Sequence, residues 1–93
     1  MEFEWADAKS KACFRQRGFD FGYAIRVFLD PDRIVQPDDR LGHGEPRFQV
    51  TGRINGRLFV IVYTPRAHRL RIISARKANR REVDRHDAST RDS

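Results

Sequence analysis

A single cysteine, Cys13, excludes an internal disulfide and fits a reducing compartment. Long apolar runs are missing as well: the longest, Leu58 to Tyr63, is far short of the ~20 residues that span a bilayer. The chain opens Met-Glu-Phe-Glu-Trp, acidic where a signal peptide is basic and then apolar, so a cytoplasmic protein without membrane attachment is expected. Metal ligands are scarce. Beside Cys13 there are only His43, His68 and His86, widely spaced, so neither a metal nor another cofactor is expected. No G-x-x-x-x-G-K-[ST] phosphate loop occurs, and Gly42-His43-Gly44 lacks the strand-to-helix context such loops need. Cys13, alone in a helical stretch, reads as a small packed hydrophobe.

The apolar fraction, 39%, is low and the charged fraction, 34%, is high, so the core of these 93 residues is thin and single. We place one domain over residues 1–86 and a polar tail over 87–93. Charge is distributed unevenly. Residues 1–46 hold seven Lys/Arg and nine Asp/Glu, whereas residues 47–86 hold eleven Lys/Arg against Glu82 and Asp84 alone. Ten of those eleven are Arg, whose planar fork grips phosphate and stacks on bases. A one-sided basic excess of this kind points to a polyanion, and nucleic acid is the commonest. A solvated arginine-rich surface would carry the same charge.

Phe3 and Trp5 alternate with Glu2 and Glu4, as in a short half-buried strand. Ala6 to Gln16 permits a helix, weakly striped by Ala8 and Ala12 and stopped by Gly18. Asp20 caps a second helix that carries Phe21, Ala24, Ile25, Phe28 and Leu29 on one face until Asp30-Pro31 ends it. Ile34-Val35 forms a short strand, and Pro37 to Pro46 a polar loop. The period then becomes two. Arg47 to Thr51, the Asn55-Gly56 turn, Leu58 to Tyr63, a turn near Pro65-Arg66 and Leu70 to Ala75 form a meander. Asn79 and Glu82 have capping-box spacing and open a terminal helix. The class is α+β: two N-terminal helices on an antiparallel sheet of about four strands plus a short N-terminal strand, with a short C-terminal helix. The face away from the helices is expected to be open and studded with arginines.

Arg69 and Arg71 share a face of the last strand, and Arg47 and Gln49 share a face of the first meander strand. Arg66 stands at the turn between the second and third strands, and Arg76, Lys77, Arg80 and Arg81 follow the last. Arg80 and Arg81 occupy the first turn of a helix, where the dipole prefers anions. Pairing with Asp84 accounts for one of them at most. Cleavage of RNA by its own 2′-OH needs a base, a cation for the pentacovalent phosphate and an acid. Arginine can supply the cation, and Glu45 or a histidine the proton transfers. A non-catalytic basic module that binds RNA or protein presents the same residues.

Several motifs resemble one family. Trp5 with Asp7 and Lys9 resembles the W-D-x-x-K opening of the BrnT toxins. Arg17-Gly18-Phe19-Asp20-Phe21 is similar to their H-G-[VI]-x-F, and Val27-Phe28-Leu29-Asp30 to their V-F-x-D. Glu45-Pro46-Arg47 with Gly52 resembles the E-x-R…G strand. Arg71 to Ala78, with Arg81-Glu82, resembles R-I-I-S-A-R-x-A…E-R with the last pair reversed. The departures are Ala6 directly after the tryptophan, Arg17 for a usual histidine, and Arg85-His86 where a tyrosine is common. The resemblance runs from about residue 3 to 86. It implies a RelE-like fold and a metal-independent ribonuclease that halts translation. The implied partner is a BrnA-type antitoxin with a ribbon-helix-helix domain, in a 2:2 complex. Carried over by motif, the catalytic residues are Glu45, Arg47 and Arg76; the basic constellation itself marks Arg66, Arg69, Arg71, Lys77, Arg80 and Arg81 as RNA-binding. For Arg76 the alternative is a structural pair with Glu82.

RNA binding is expected to weaken steeply with salt. Each phosphate contact to a single strand contributes about −0.7 to the log–log slope, so about four to six engaged arginines give roughly −3 to −4. A titration of affinity against salt checks this, and a slope near zero would mean that the basic segment is not the RNA site.

Overall fold

The computed structural model describes residues 1–39 and 44–91. Strand β1 (Glu2–Glu4) leads into helix α1 (Asp7–Arg17) and helix α2 (Phe21–Ala24), which tightens into a 3-10 turn (Ile25–Leu29). Strands β2 (Ile34–Pro37), β3 (Phe48–Ile54), β4 (Arg57–Arg66) and β5 (Arg69–Lys77) follow, and helix α3 (Arg80–Arg91) closes the chain. The strands form one sheet in the order β1-β5-β4-β3-β2. Strands β2 to β5 pair antiparallel, and β1 lies parallel to β5, so the sheet as a whole is mixed.

Capping accounts for the helix ends. Gly18 ends α1 at φ 84°, its N–H donating to Phe14 O at 2.9 Å, a conformation that glycine adopts without a Cβ clash. Asp20 Oδ1 accepts from Tyr23 N at 2.9 Å and starts α2. The freed N–H of Phe21 donates to Ser10 Oγ at 3.0 Å, so α1 and α2 are tied by a buried hydroxyl. The inward face of α1 is therefore Ser10 and Cys13, not the expected Ala8 and Ala12. Cys13 is packed as expected; its Sγ donates to Ala75 O at 3.6 Å, and burial pushes its thiol pKa up.

The second helix differs from the expected stripe for a geometric reason. A 3-10 turn repeats every three residues, so the buried line becomes Phe21, Ala24 and Val27, and Leu29 points outward at 81% exposure. Asp30 is next on that line, and its Oδ2 accepts from Arg53 N of β3 at 2.6 Å. Phe28, half-buried, stacks between Phe3 (5.1 Å) and Tyr63 (5.5 Å). Together with Phe48, Val50, Phe59, Ile61, Ile72 and Ala75, these side chains fill the space between the N-terminal helices and one face of the sheet.

Two further boundaries move. The β4–β5 turn sits at Ala67-His68 rather than at Pro65-Arg66, with Ala67 at φ 46°. Helix α3 runs to Arg91, so the polar stretch from Asp87 begins as helix. The expected open face is also corrected. Leu58, Val60 and Thr51 alternate with the core-facing residues, and α3 lies on their side of the sheet through Arg76–Glu82 and Arg53–Asp87 ion pairs. An amphipathic helix carrying Val83 and His86 needs an apolar surface, and the Leu58–Tyr63 run of β4 offers one on both faces.

Gly52 is where the 3-10 turn touches β3. A Cβ there would stand 2.7 Å from Val27 Cγ2 and 3.2 Å from Val27 O, and Val27 is fully buried and cannot swing away. Gly52→Ala is expected to cost about 1–3 kcal/mol by overpacking. At about 4–8 °C per kcal/mol for a domain of this size, a thermal melt resolves it. An unchanged melting temperature would mean that this contact is loose.

Candidate nucleic-acid interface

The second face of the sheet holds most of the arginines picked out in the sequence, and the pleat explains why. Tyr63 and Ile72 pair across the core face, so their neighbours Thr64 and Arg71, also paired, point to the other side. Glu4 pairs with Arg71 in the parallel ladder, and continuing β3 back by one residue sets Arg47 beside Thr64. One row, Glu4–Arg71–Thr64–Arg47, thus crosses the sheet. Arg71 Nη1 donates to Glu4 Oε2 at 2.8 Å. Arg69 sits 3.9 Å from both Glu2 and Glu4, a loose contact. Glu45 and Arg66 meet at 3.3 Å near the end of the row. Thr64 is wholly buried, and its Oγ1 donates to Pro46 O, which fixes the approach to Arg47.

Arg76 lies elsewhere. It pairs with Val60, four residues along β4 from Thr64, or about 13 Å at ~3.3 Å per residue. Its Nη1 and Nη2 donate to the two oxygens of Glu82, each at 2.7 Å, the structural alternative raised for it above. Glu82 also completes the expected capping box. Its Oε1 accepts from Asn79 N, and Asn79 Oδ1 accepts from Glu82 N, both at 2.9 Å. Arg80 pairs with Asp84 at 3.4 Å on the exposed side of α3. Arg81 is exposed with no ion pair among the described residues. Lys77 faces the other side of the sheet, where with Arg17 and Arg57 it rims a cavity of about 480 Å³ floored by Phe19, Tyr23 and Phe59. The fold therefore gathers Glu45, Arg47, Arg66, Arg69 and Arg71, and leaves Arg76, Lys77, Arg80 and Arg81 apart from them.

Arg47 differs from its neighbours. Among the described residues it has no carboxylate partner, and its Nε is buried without a hydrogen bond. The other buried side-chain nitrogens in that state are Nδ1 and Nε2 of His86, on α3 over the same face. A buried unpaired donor typically costs about 1–3 kcal/mol, so such groups concentrate where function holds them. No local pattern signals that Glu4 completes the row or that His86 is buried. The first depends on a parallel pairing between residues far apart in the chain, the second on which way α3 turns. His68 sits exposed in the β4–β5 turn, and His43 lies outside the described residues. Among the described residues no three metal-ligating side chains converge, and no helix is long and apolar enough to cross a membrane.

A family model described as a ribonuclease toxin, BrnT, of type II toxin-antitoxin systems matches residues 5–82. No curated protein matches the chain.

The Arg76 hydrogen bonds hold the Glu82 carboxyl down at about 2 against an ordinary 4.5, helped by the Asn79 N–H and the Arg76 and Arg85 charges and opposed by burial. The folded-state value is the lower one, so this contribution to stability is complete above pH 4.5 and disappears as pH falls towards 2. Glu82→Gln is expected to cost about 1–2 kcal/mol at neutral pH, discounted for partial exposure of the pair. Melting curves of both proteins should converge as acid neutralises the wild-type carboxylate. A gap that persists undiminished at the acid end would assign the loss to packing instead.

Proposed function

Because the chain belongs to the BrnT family of ribonuclease toxins of type II toxin–antitoxin systems, we propose that RNA is cut over the Glu4–Arg71–Thr64–Arg47 row. Support comes from one observation: Arg47 stands on the basic face with, among the described residues, no carboxylate to neutralise it and no partner for its buried Nε. A preorganised cation with a dehydrated, unbonded nitrogen costs the folded protein stability, and it is worth most when charge develops beside it.

In this reading the 2′-OH of the RNA attacks the adjacent phosphorus. The O2′–P bond forms and the P–O5′ bond breaks. Glu45 takes the 2′-OH proton, and the 5′-oxygen leaves with a proton from solvent. Arg47 faces the pentacovalent phosphate, while Arg66, Arg69 and Arg71 hold flanking phosphates. Each of these three is already near a carboxylate, so each can bind phosphate by exchanging one anion for another. Arg80 and Arg81 extend the path for a longer strand. Arg76 acts through α3 by keeping the helix in place. The family implies an RNA target and an antitoxin partner; we read the antitoxin as a BrnA-type ribbon-helix-helix protein in a 2:2 complex, and the cellular effect as arrest of translation.

Arg47→Met keeps the aliphatic stem and removes the charge. It is expected to lower the single-turnover cleavage rate, measured in EDTA, by about 10²–10³. It should melt no lower than wild type, because the lost Nε had no partner. Cleavage within threefold of wild type would remove Arg47 from the chemistry. RNA binding without cleavage by the wild-type protein would favour a non-catalytic basic module.

A further inference from the structure

We propose that the groove between α3 and the β2–β3 edge is a base-recognition pocket that reads one unpaired nucleotide next to the cleaved phosphate. This rests on the ribonuclease reading above and adds to it the determinant of sequence preference.

The groove encloses about 120 Å³, with Gln36, Gln49, Thr51, His86 and Ser89 around it, Ile34 as an apolar wall, and Glu82 and Arg85 at its side. Ligand pockets for whole small molecules run to about 300–1,000 Å³, so this one admits a single ring system. Its lining is mostly neutral and hydrogen-bonding. Free inorganic phosphate would meet Arg85 alone, with the Glu82 carboxylate close by. A neutral planar base linked to a phosphate held outside suits this distribution better.

Three further observations point to an edge-reading ligand. His86 is 3% exposed, and neither ring nitrogen has a hydrogen-bond partner among the described residues, so a buried imidazole borders the groove with its hydrogen-bonding capacity unspent. Gln36 Nε2 reaches Gln49 Oε1 only at 3.5 Å, the long limit of a hydrogen bond. Each amide therefore keeps groups to offer a base edge, and a glutamine amide pairs bidentately with adjacent donor and acceptor atoms. Gln49 also lies two residues beyond Arg47 on the same face of β3, about 6.6 Å away along the strand. Sequence-specific recognition of RNA works on unstacked bases of this kind, turned into a pocket beside the backbone track.

The test sequences the ends produced when the full chain cleaves a random single-stranded RNA pool. Wild type is expected to favour one base, at one position beside the cut, by about five- to hundredfold. Gln49→Glu replaces the amide donor with an acceptor, and it should change which base is favoured. Gln36→Ala, on the exposed edge strand, should collapse the ratio between the favoured base and the rest. Melting curves separate either effect from unfolding. Flat base usage in wild type, or an unchanged pattern in both variants, would overturn the pocket while leaving the ribonuclease reading intact. Unchanged usage with weakened antitoxin binding would make the groove a protein contact and also overturn it. An uncut pool would remove the ribonuclease reading, and this inference with it.

Discussion

Glu82 holds three groups at once: both forks of Arg76, the Asn79 N–H, and through its own N–H the Asn79 side chain. The geometry of α3 depends on this knot. A helix of about three turns with few buried apolar side chains has little else to fix its direction, since only His86 is fully buried. Arg53–Asp87 at 2.7 Å fastens the helix a turn further on. These two pairs hold α3 on the face of the sheet that carries Leu58 and Val60, the strand partners of Arg53 and Arg76. The charged row and the groove both exist because the helix stops covering the sheet where it does.

The basic excess of residues 47–86 is less available than its size implies. Arg53, Arg66, Arg71, Arg76 and Arg80 each face a carboxylate, and every one of the five partners comes from outside that segment or from α3. Pairing of exposed or half-exposed arginines adds little stability, roughly 0–1 kcal/mol each, and gives way easily to a competing anion. Arg47 is different in kind. With its Nε dehydrated and unpaired, it contributes charge at a cost to folding, and the large apolar contact on the opposite face of the sheet, rings of Phe3, Phe28, Phe48 and Tyr63 included, offsets that cost.

Local chemistry was readable from the residues. Gly18 as a stop, Asp20 as a cap, the Asn55-Gly56 turn with both residues at positive φ, and the Asn79/Glu82 box all form from neighbours in the chain. The α+β class follows from the change of hydrophobic period after Pro46. Failures occurred where a distant segment decided. Val27 replaced Leu29 in the core because Gly52 leaves space for it on β3, and that close approach tightens the helix to a 3-10 turn. The second face was expected to be open, but α3 covers part of it, held by the Arg76–Glu82 and Arg53–Asp87 pairs and by the burial of His86. At the site, Arg47, Gln49, Arg69 and Arg71 could be assigned to faces by alternation alone. Their separation from Arg76 could not, because it depends on a register that the Ile73 bulge shifts between Val62 and Tyr63.

The parallel pairing of β1 with β5 has a consequence for synthesis. Glu2, Phe3 and Glu4 are made long before their partners Arg69, Leu70 and Arg71, and α3 comes later still. A chain made from its N-terminus cannot close this sheet, or place Glu4 against Arg71, until most of its length is available. Before then Phe3 has no neighbour in the ladder, and the groove has no roof. A product stalled before α3 would therefore carry the basic residues without the surface that arranges them, and whatever activity this face has would begin only once β5 and α3 are made.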